Sequence, residues 1–134
     1  MLTPDNFRFI SPPAIGPAKG YTHVVEVTGG RTIYISGQVA DDQNGNLVGL
    51  NDFRAQAIQV FENLNAALAS VGATFANVVK INNYLLDLNQ LPVYREIRNN
   101  YINLQNPPAS TALEVSRLAK SEYLLEVEVI ANLK

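Results

Sequence analysis

The last strand-like stretch, residues 123–131, most constrains what this chain can fold into, because both of its sides are apolar. Side chains alternate between the two faces of a strand. One face holds Leu125, Val127 and Val129, and the other holds Leu124 and Ile130 beside Glu126 and Glu128. A sheet with one face open to water does not normally carry this much aliphatic surface. We therefore expect helices to cover one face and self-association to cover the other, with the number of subunits left open.

Two stretches with helical periodicity supply the expected cover. Residues 57–71 place apolar side chains at helical spacing. Asn51 or Asp52 is placed to cap this helix, and Gly72 ends the pattern. Residues 89 to about 104 predict a second helix, whose apolar stripe is Val93, Ile97, Tyr101 and Leu104.

Strand patterns surround these helices. Thr22–Val27 and Arg31–Ser36 flank Gly29-Gly30, which predicts a hairpin. The other predicted strands are a short one at residues 7–9 and longer ones at 77–86, 111–115 and 123–131. This order predicts an α+β fold in a single domain over residues 1–134, with two helices on one face of a five- or six-stranded sheet.

Composition excludes several classes of function. The hydrophobic fraction is 47%, the net charge is −2, and the ten basic residues are scattered. A nucleic-acid site needs a stripe of basic side chains, so we expect no nucleic-acid partner. Cysteine is absent, which removes disulfides, thiolate catalysis and zinc–cysteine sites. No apolar run or signal pattern points to a membrane, so we expect a small soluble cytoplasmic domain.

Few residues suggest acid–base or metal chemistry. His23 is the only histidine, so neither a triad nor a histidine metal site can be completed, and we interpret it as a packed strand residue. Asp41 and Asp42 lie in a turn-rich loop whose spacing does not match a calcium loop. Glu126 and Glu128 share a strand face, and two interpretations stay open. They are exposed charges, or one of them lies at a subunit contact and relays a proton.

The segment Ser36-Gly37-Gln38 closes a strand with two polar side chains and a glycine that permits close approach of the backbone. It belongs to a longer series of motifs. The series is PAIGP at 13–17, IYISGQ at 33–38, Gln56 with Asn63-Leu64, VVK at 78–80, Asp87-Leu88, PAST at 108–111 and EVEVIA at 126–131. In identity and order, over nearly the full length, these motifs resemble the Rid family of reactive intermediate deaminases, also called YjgF-like or L-PSP proteins.

The resemblance implies a chorismate-mutase-like fold with a mixed sheet. It also implies a homotrimer, in which three sheets pack inward as a barrel and three clefts lie between subunits. Active members of the family hydrolyse enamines and imines to a 2-keto acid and ammonia, without a cofactor or metal. An arginine binds the substrate carboxylate, and a glutamate holds the attacking water.

Carried over by position, the resemblance implies that Glu126 is the catalytic glutamate and Ser36, beside Gly37, the pocket serine. The arginine is missing, because Ser110 stands where it follows the Pro-Ala pair. Ser110 and Thr111 then become candidate hydrogen-bonding residues for a ligand.

Two further positions depart from the pattern. The tyrosine after Ile-Gly-Pro is replaced by Ala18, although Tyr21 lies nearby, and an asparagine early in the second helix is replaced by Arg95. Tyr21 and Arg95 are therefore further candidates for binding the ligand.

Four hypotheses follow. The favoured one is a trimer that binds a small polar metabolite without efficient 2-imino acid deaminase activity. The second is a working deaminase in which Arg95 or Arg117 replaces the missing cation. The third is a ribonuclease, which the acidic balance argues against. The fourth is a purely structural or interaction role.

Overall fold

A four-stranded sheet carries both helices on one face in the computed structural model, which describes all residues from Met1 to Lys134. Its strands, in spatial order, are β3 (Arg31–Gln38), β6 (Leu125–Leu133), β4 (Val78–Leu85) and β5 (Ala109–Glu114). Strand β6 pairs antiparallel with both β3 and β4, whereas β5 runs parallel to β4. The predicted α+β class with two helices is confirmed.

The first helix, α1 (Phe53–Ala69), forms where the apolar spacing predicted it. The side chain of Asp52 caps it by accepting a hydrogen bond from the Ala55 N–H at 3.1 Å. Its apolar face packs on the sheet side that carries Leu125, Val127 and Val129, all of which are buried. This layer of helix on sheet is the hydrophobic core.

The second helix, α2 (Leu91–Arg98), is shorter than predicted. Its predicted continuation to about residue 104 is wrong, and Leu104 is exposed. The Asn103 side chain instead accepts hydrogen bonds from the backbone N–H groups of Gln105 and Asn106. This local turn competes with helix continuation, as asparagine side chains often do.

The predicted hairpin between the second and third strands is also wrong. Strand β2 (Val24–Val27) pairs with β1 (Phe7–Ile10) in a separate two-stranded sheet. Gly29 and Gly30 both have positive φ, and they direct the chain from one sheet into the other instead of folding it back. The main sheet therefore has four strands, not five or six.

The second face of the main sheet has no cover within one chain. Tyr34 on β3 is 78% exposed there, and Glu126, Glu128 and Ile130 on β6 are only half-buried. The aliphatic and aromatic surface that the alternation predicted is thus available for contact. Neither helix is long and apolar enough to cross a bilayer.

Candidate functional site

The residues predicted for the site fall into two separate regions of the chain. Tyr21, Arg95 and Ser110 line one cavity of about 180 Å³ on the helix side of the sheet. Ser36 lines a shallow depression of about 250 Å³ on the open sheet face, together with Glu128. We call these regions the cationic cavity and the sheet-face site.

The cationic cavity is formed where α2, β4, β5 and the segment before β2 meet. Two hydrogen bonds hold that segment against the start of β5. The Thr22 N–H donates to the Pro108 carbonyl at 3.2 Å, and the Thr22 hydroxyl donates to the Pro107 carbonyl at 2.5 Å. They bring Tyr21 to Ser110. The complete lining is Lys19, Tyr21, Asn83, Leu91, Tyr94, Arg95, Arg98, Ser110 and Ala112.

A buried polar chain ends at Ser110. The Tyr94 hydroxyl donates to the Asn83 side-chain carbonyl, and the Asn83 amide donates to Ser110 Oγ at 3.2 Å. The same amide donates to the Thr111 carbonyl at 3.0 Å. Burial raises the pKa of Tyr94, so its hydroxyl stays protonated and can donate.

Thr111 does not share the cavity of Ser110. Neighbouring residues of a strand face opposite sides, and in the parallel register Thr111 lies beside Asn82 on the open sheet face. Its hydroxyl accepts a hydrogen bond from Lys80 Nζ at 2.9 Å. Within one chain, Ser110 and Thr111 therefore face opposite sides of the sheet.

On the open sheet face, Glu126 lies against Gly37. A Cβ at Gly37 would come within 2.9 Å of Glu126 Cγ and overlap its carboxylate, so only glycine permits this approach. Gly37 lies in a bulge of β3 opposite β6. The two residues that the family pattern pairs, Ser36 and Glu126, thus lie on adjacent strands of one face.

The neighbouring carboxylate, Glu128, is already bound by protein donors. Its Oε1 accepts hydrogen bonds from the Tyr84 hydroxyl at 2.7 Å and from the Asn82 amide at 3.2 Å. The hydrogen bond to Glu128 raises the pKa of Tyr84 above its usual range. Glu128 is therefore held in a structural network, and Glu126 is the freer carboxylate of the pair.

Arg117, the other candidate cation, lies elsewhere. It lines a separate surface depression with Ser116 and Lys120, after the end of β5. Of the two cations proposed from the sequence, only Arg95 shares a cavity with Ser110.

The sequence interpretation did not single out Arg98, which also lines the cationic cavity. It lies three residues after Arg95, so the two share a helix surface, and both line the cationic cavity. Asn83 shares a strand face with the buried Ile81 and Leu85 and is itself 1% exposed. An asparagine on such a face was the available signal of a buried polar site.

Other candidates have structural surroundings. His23 Nε2 lies 2.6 Å from the Gly16 carbonyl and its ring meets Tyr21 edge-on. The Asp42 carboxylate accepts hydrogen bonds from the N–H groups of Asn44 and Asn46 and so closes a turn. A larger depression, about 720 Å³, lies along this polar turn and includes Gly37 but no cation. No cluster of three or more side chains is arranged to hold a metal ion.

The fold, two helices on one face of a mixed sheet, is that of the α+β class to which solved Rid structures belong. A Rid-family protein, YyfB, from Yersinia pestis superposes with a TM-score of 0.85 at 36% identity, covering 96% of this chain and 99% of that one. RidA from an Antarctic Psychrobacter superposes with a TM-score of 0.71 at 34% identity, covering 88% and 92%.

Sequence comparison agrees with the fold. The family model described as Endoribonuclease L-PSP matches residues 12–133. A RutC family protein of Pyrococcus abyssi is 36% identical over 121 residues, covering 90% of each chain. A human protein named 2-iminobutanoate/2-iminopropanoate deaminase is also 36% identical over 121 residues, covering 90% of this chain and 83% of its own. The chain belongs to the Rid family, also called the YjgF-like or L-PSP family.

Proposed function

We propose that this protein is a homotrimer that binds a small polar metabolite in clefts between subunits, without efficient 2-imino acid deaminase activity. The observation that carries this proposal is the separation of the two sites. Ser36 and Glu126 lie on the open sheet face, whereas Ser110 lies in the cationic cavity. A cleft between two subunits, one giving its sheet face and the other its cationic cavity, brings both sets to one ligand.

The uncovered sheet face supports self-association. Tyr34 and Leu113 are large and exposed on that face. Large apolar side chains left exposed on the uncovered face of a sheet are typical of protein interfaces. A homotrimer predicts a particle of three times the 14.7 kDa chain mass in sedimentation or light scattering.

The loss of efficient deaminase activity follows from position 110. The serine hydroxyl supplies one neutral hydrogen bond where an arginine supplies two charge-assisted ones. Charge-assisted hydrogen bonds contribute about 1.5–3 kcal/mol each. Losing them in the transition state costs orders of magnitude in rate, since about 1.4 kcal/mol is a factor of ten.

The test is hydrolysis of 2-iminopropionate, generated in situ from alanine by an amino-acid oxidase. We expect the wild type to accelerate hydrolysis little over buffer, and Ser110→Arg to gain activity if the rest of the cleft is intact. Thermal unfolding and particle mass are measured for both proteins, so that a misfolded variant is recognised. Efficient wild-type hydrolysis would refute the proposal.

That refuting outcome favours the second candidate function, an imine or enamine deaminase. The human relative named as such a deaminase supports it, and so does Arg95, which offers a cation beside Ser110. In that case Arg95→Gln lowers wild-type hydrolysis, whereas Arg117→Gln does not, because Arg117 lines a different depression. A ribonuclease is not favoured. The cationic cavity is too small for an RNA strand, and the net charge of −2 is unfavourable for binding phosphates.

A further inference from the structure

The loop between β3 and α1 contains the only Asn-Gly pair of the chain, Asn44-Gly45. An asparagine followed by glycine is prone to spontaneous deamidation, because glycine has no side chain to shield its amide nitrogen from the asparagine side chain. Both residues are exposed. A Cβ at Gly45 would meet nothing within 4 Å, so no other part of the chain packs over it. The pair is therefore an accessible candidate for modification.

The reaction at such a pair needs only water and a solvent base. The base removes the proton of the Gly45 nitrogen, and that nitrogen attacks Asn44 Cγ. A cyclic succinimide forms as the Cγ–Nδ2 bond breaks, and the released nitrogen takes a proton from water and leaves as ammonia. Water then adds to either carbonyl of the ring and opens it. The product at position 44 is aspartate, or isoaspartate in which the main chain runs through the former side chain.

The turn around this pair engages the attacking nitrogen. The Gly45 N–H donates to the Asp42 main-chain carbonyl at 2.9 Å, and the Asp42 N–H donates to the Asn46 carbonyl at 2.8 Å. Asp42 Oδ1 accepts from the N–H groups of Asn44 at 2.9 Å and Asn46 at 3.0 Å. To react, the Gly45 nitrogen must give up its bonded proton and turn toward Asn44 Cγ. The turn must therefore open locally before the ring can close.

Asp42 is the residue on which this turn depends. It takes part in all four hydrogen bonds, two through its carboxylate and two through its main chain. Aspartate commonly closes turns by accepting from main-chain N–H groups a few residues further on. Because the carboxylate bonds are the ones that a substitution can remove, the identity of residue 42 controls how often the turn opens.

Deamidation would change the charge beside the sheet-face site. Asn44 lines the depression of about 720 Å³ together with Gly37 and Glu62. The reaction replaces a neutral amide by a carboxylate, so the net charge of −2 becomes one unit more negative. The depression has no cation to balance the new charge.

Isoaspartate would also change the backbone of the turn. Its main chain is longer by one carbon, so the paired hydrogen bonds between Asp42 and Asn46 lose their register. The neighbouring Asp41 pairs with Leu47 in an isolated bridge. Its carboxylate accepts from the Tyr123 hydroxyl at 2.7 Å, just before β6. The modification therefore affects a turn that is tied to the main sheet.

We propose that Asn44 is a site of spontaneous deamidation in the folded protein, and that the turn closed by Asp42 restrains its rate. The inference goes beyond the proposed function, because it requires neither a ligand nor a second subunit. The modified fraction rises with time after synthesis, so older molecules carry more negative charge in the depression next to Gly37.

The test incubates the folded, full-length protein in mildly alkaline buffer and follows the tryptic peptide 32–54 by mass spectrometry. This peptide also contains Asn46 and Asn51, which are exposed but are not followed by glycine, so they serve as internal controls. Conversion is expected at Asn44, with isoaspartate among the products, since direct hydrolysis of the amide gives aspartate alone. Electron-transfer fragmentation distinguishes the two isomers.

Two variants at position 42 and one reference complete the design. Asp42→Ala removes the carboxylate acceptor, so Asn44 is expected to convert about three- to tenfold faster than in the wild type. Asp42→Asn keeps an oxygen acceptor of the same shape and is expected to stay within about twofold of the wild type. The wild type unfolded in guanidinium chloride gives the unrestrained rate, expected to be the fastest. Thermal unfolding shows whether Asp42→Ala is folded; if it is not, Asp42→Asn and the ratio of unfolded to folded wild-type rates decide.

An Asn44 that stays unchanged in the folded wild type, while the unfolded protein converts, overturns the inference. Conversion of Asn46 or Asn51 as fast as Asn44 overturns it as well, because the glycine then has no effect. Asp42→Ala converting no faster than the wild type refutes the restraint by the turn, and aspartate without isoaspartate refutes the succinimide route. None of these outcomes bears on the proposed function, which the particle mass and the 2-iminopropionate assay decide.

Discussion

The buried contact between Asn83 and Tyr94 allows a quantitative prediction. Both side chains are 1% exposed, so neither can exchange its partner for water. Tyr94→Phe leaves the Asn83 carbonyl without a donor, which we expect to lower the free energy of unfolding by about 1–2 kcal/mol. Asn83→Ala leaves the buried Tyr94 hydroxyl unpaired and removes the hydrogen bonds from the Asn83 amide to Ser110 and Thr111, so we expect a loss of about 2–4 kcal/mol.

The double variant separates this contact from general damage. In the Tyr94→Phe background there is no hydroxyl to leave unpaired, so Asn83→Ala is expected to cost about 1–2 kcal/mol less than in the wild type. All four proteins are unfolded in urea at one protomer concentration, because subunit association makes stability depend on concentration. The expected m-values are equal, which shows that the folded and unfolded states are comparable.

A coupling energy below about 0.3 kcal/mol would refute the reasoning, since sites that do not interact are additive to within about that amount. It would mean that the Tyr94 hydroxyl finds another acceptor, and that the polar chain does not orient Ser110. A large coupling of the expected sign supports the orientation in which the Asn83 oxygen faces Tyr94 and the Asn83 amide nitrogen faces Ser110.

Two further changes test other parts of the structure. Gly37→Ala places a methyl group where the Glu126 carboxylate lies. We expect ligand affinity in the cleft to fall at least tenfold while thermal stability changes by only a few degrees; unchanged affinity would show that Glu126 does not contact the ligand. The second change, Tyr123→Phe, tests stability at high pH. The hydrogen bond to Asp41 raises the pKa of Tyr123 to about 12. The pKa of Tyr123 is higher in the folded than in the unfolded protein. The hydrogen bond therefore contributes fully to stability below about pH 10, and this contribution is lost toward pH 12. The stability difference between wild type and Tyr123→Phe should therefore shrink over that range in urea unfolding; a difference independent of pH would contradict it.

Local patterns predicted the elements better than their pairing. The spacing from Ala57 to Leu68 places a buried helix correctly, because one helix face must pack on the sheet. Gly29-Gly30 was misleading, since a glycine pair favours any sharp change of direction and does not specify the partner strand. The partner of β3 is β6, about a hundred residues further along the chain, and only the tertiary fold brings the two into register.

The sequence predicted the candidate site residues one by one, but not how one chain distributes them over the two sides of the sheet. Ser36, Glu126 and Ser110 followed from the family resemblance; within one chain Ser36 and Glu126 share the open sheet face, whereas Ser110 lines the cationic cavity on the other side. Arg98 was missed because it follows Ile97 of the apolar stripe, where an arginine usually extends into solvent. Its burial depends on Gly20 and on the segment that Thr22 holds against Pro108. No local signal joins residues so far apart.

Strand β5 is an edge strand with little protection against aggregation. It lies at the edge of the sheet, and its six residues include no lysine, no proline and only one charged residue, Glu114. Natural proteins usually protect such an edge with charged residues, proline or a covering segment, because its free N–H and C=O groups can pair with strands of other chains. In a newly synthesised chain, correct association of subunits therefore competes with aggregation through the free edge of β5. Substitutions that slow subunit association are expected to make the protein insoluble before any loss of ligand affinity can be measured.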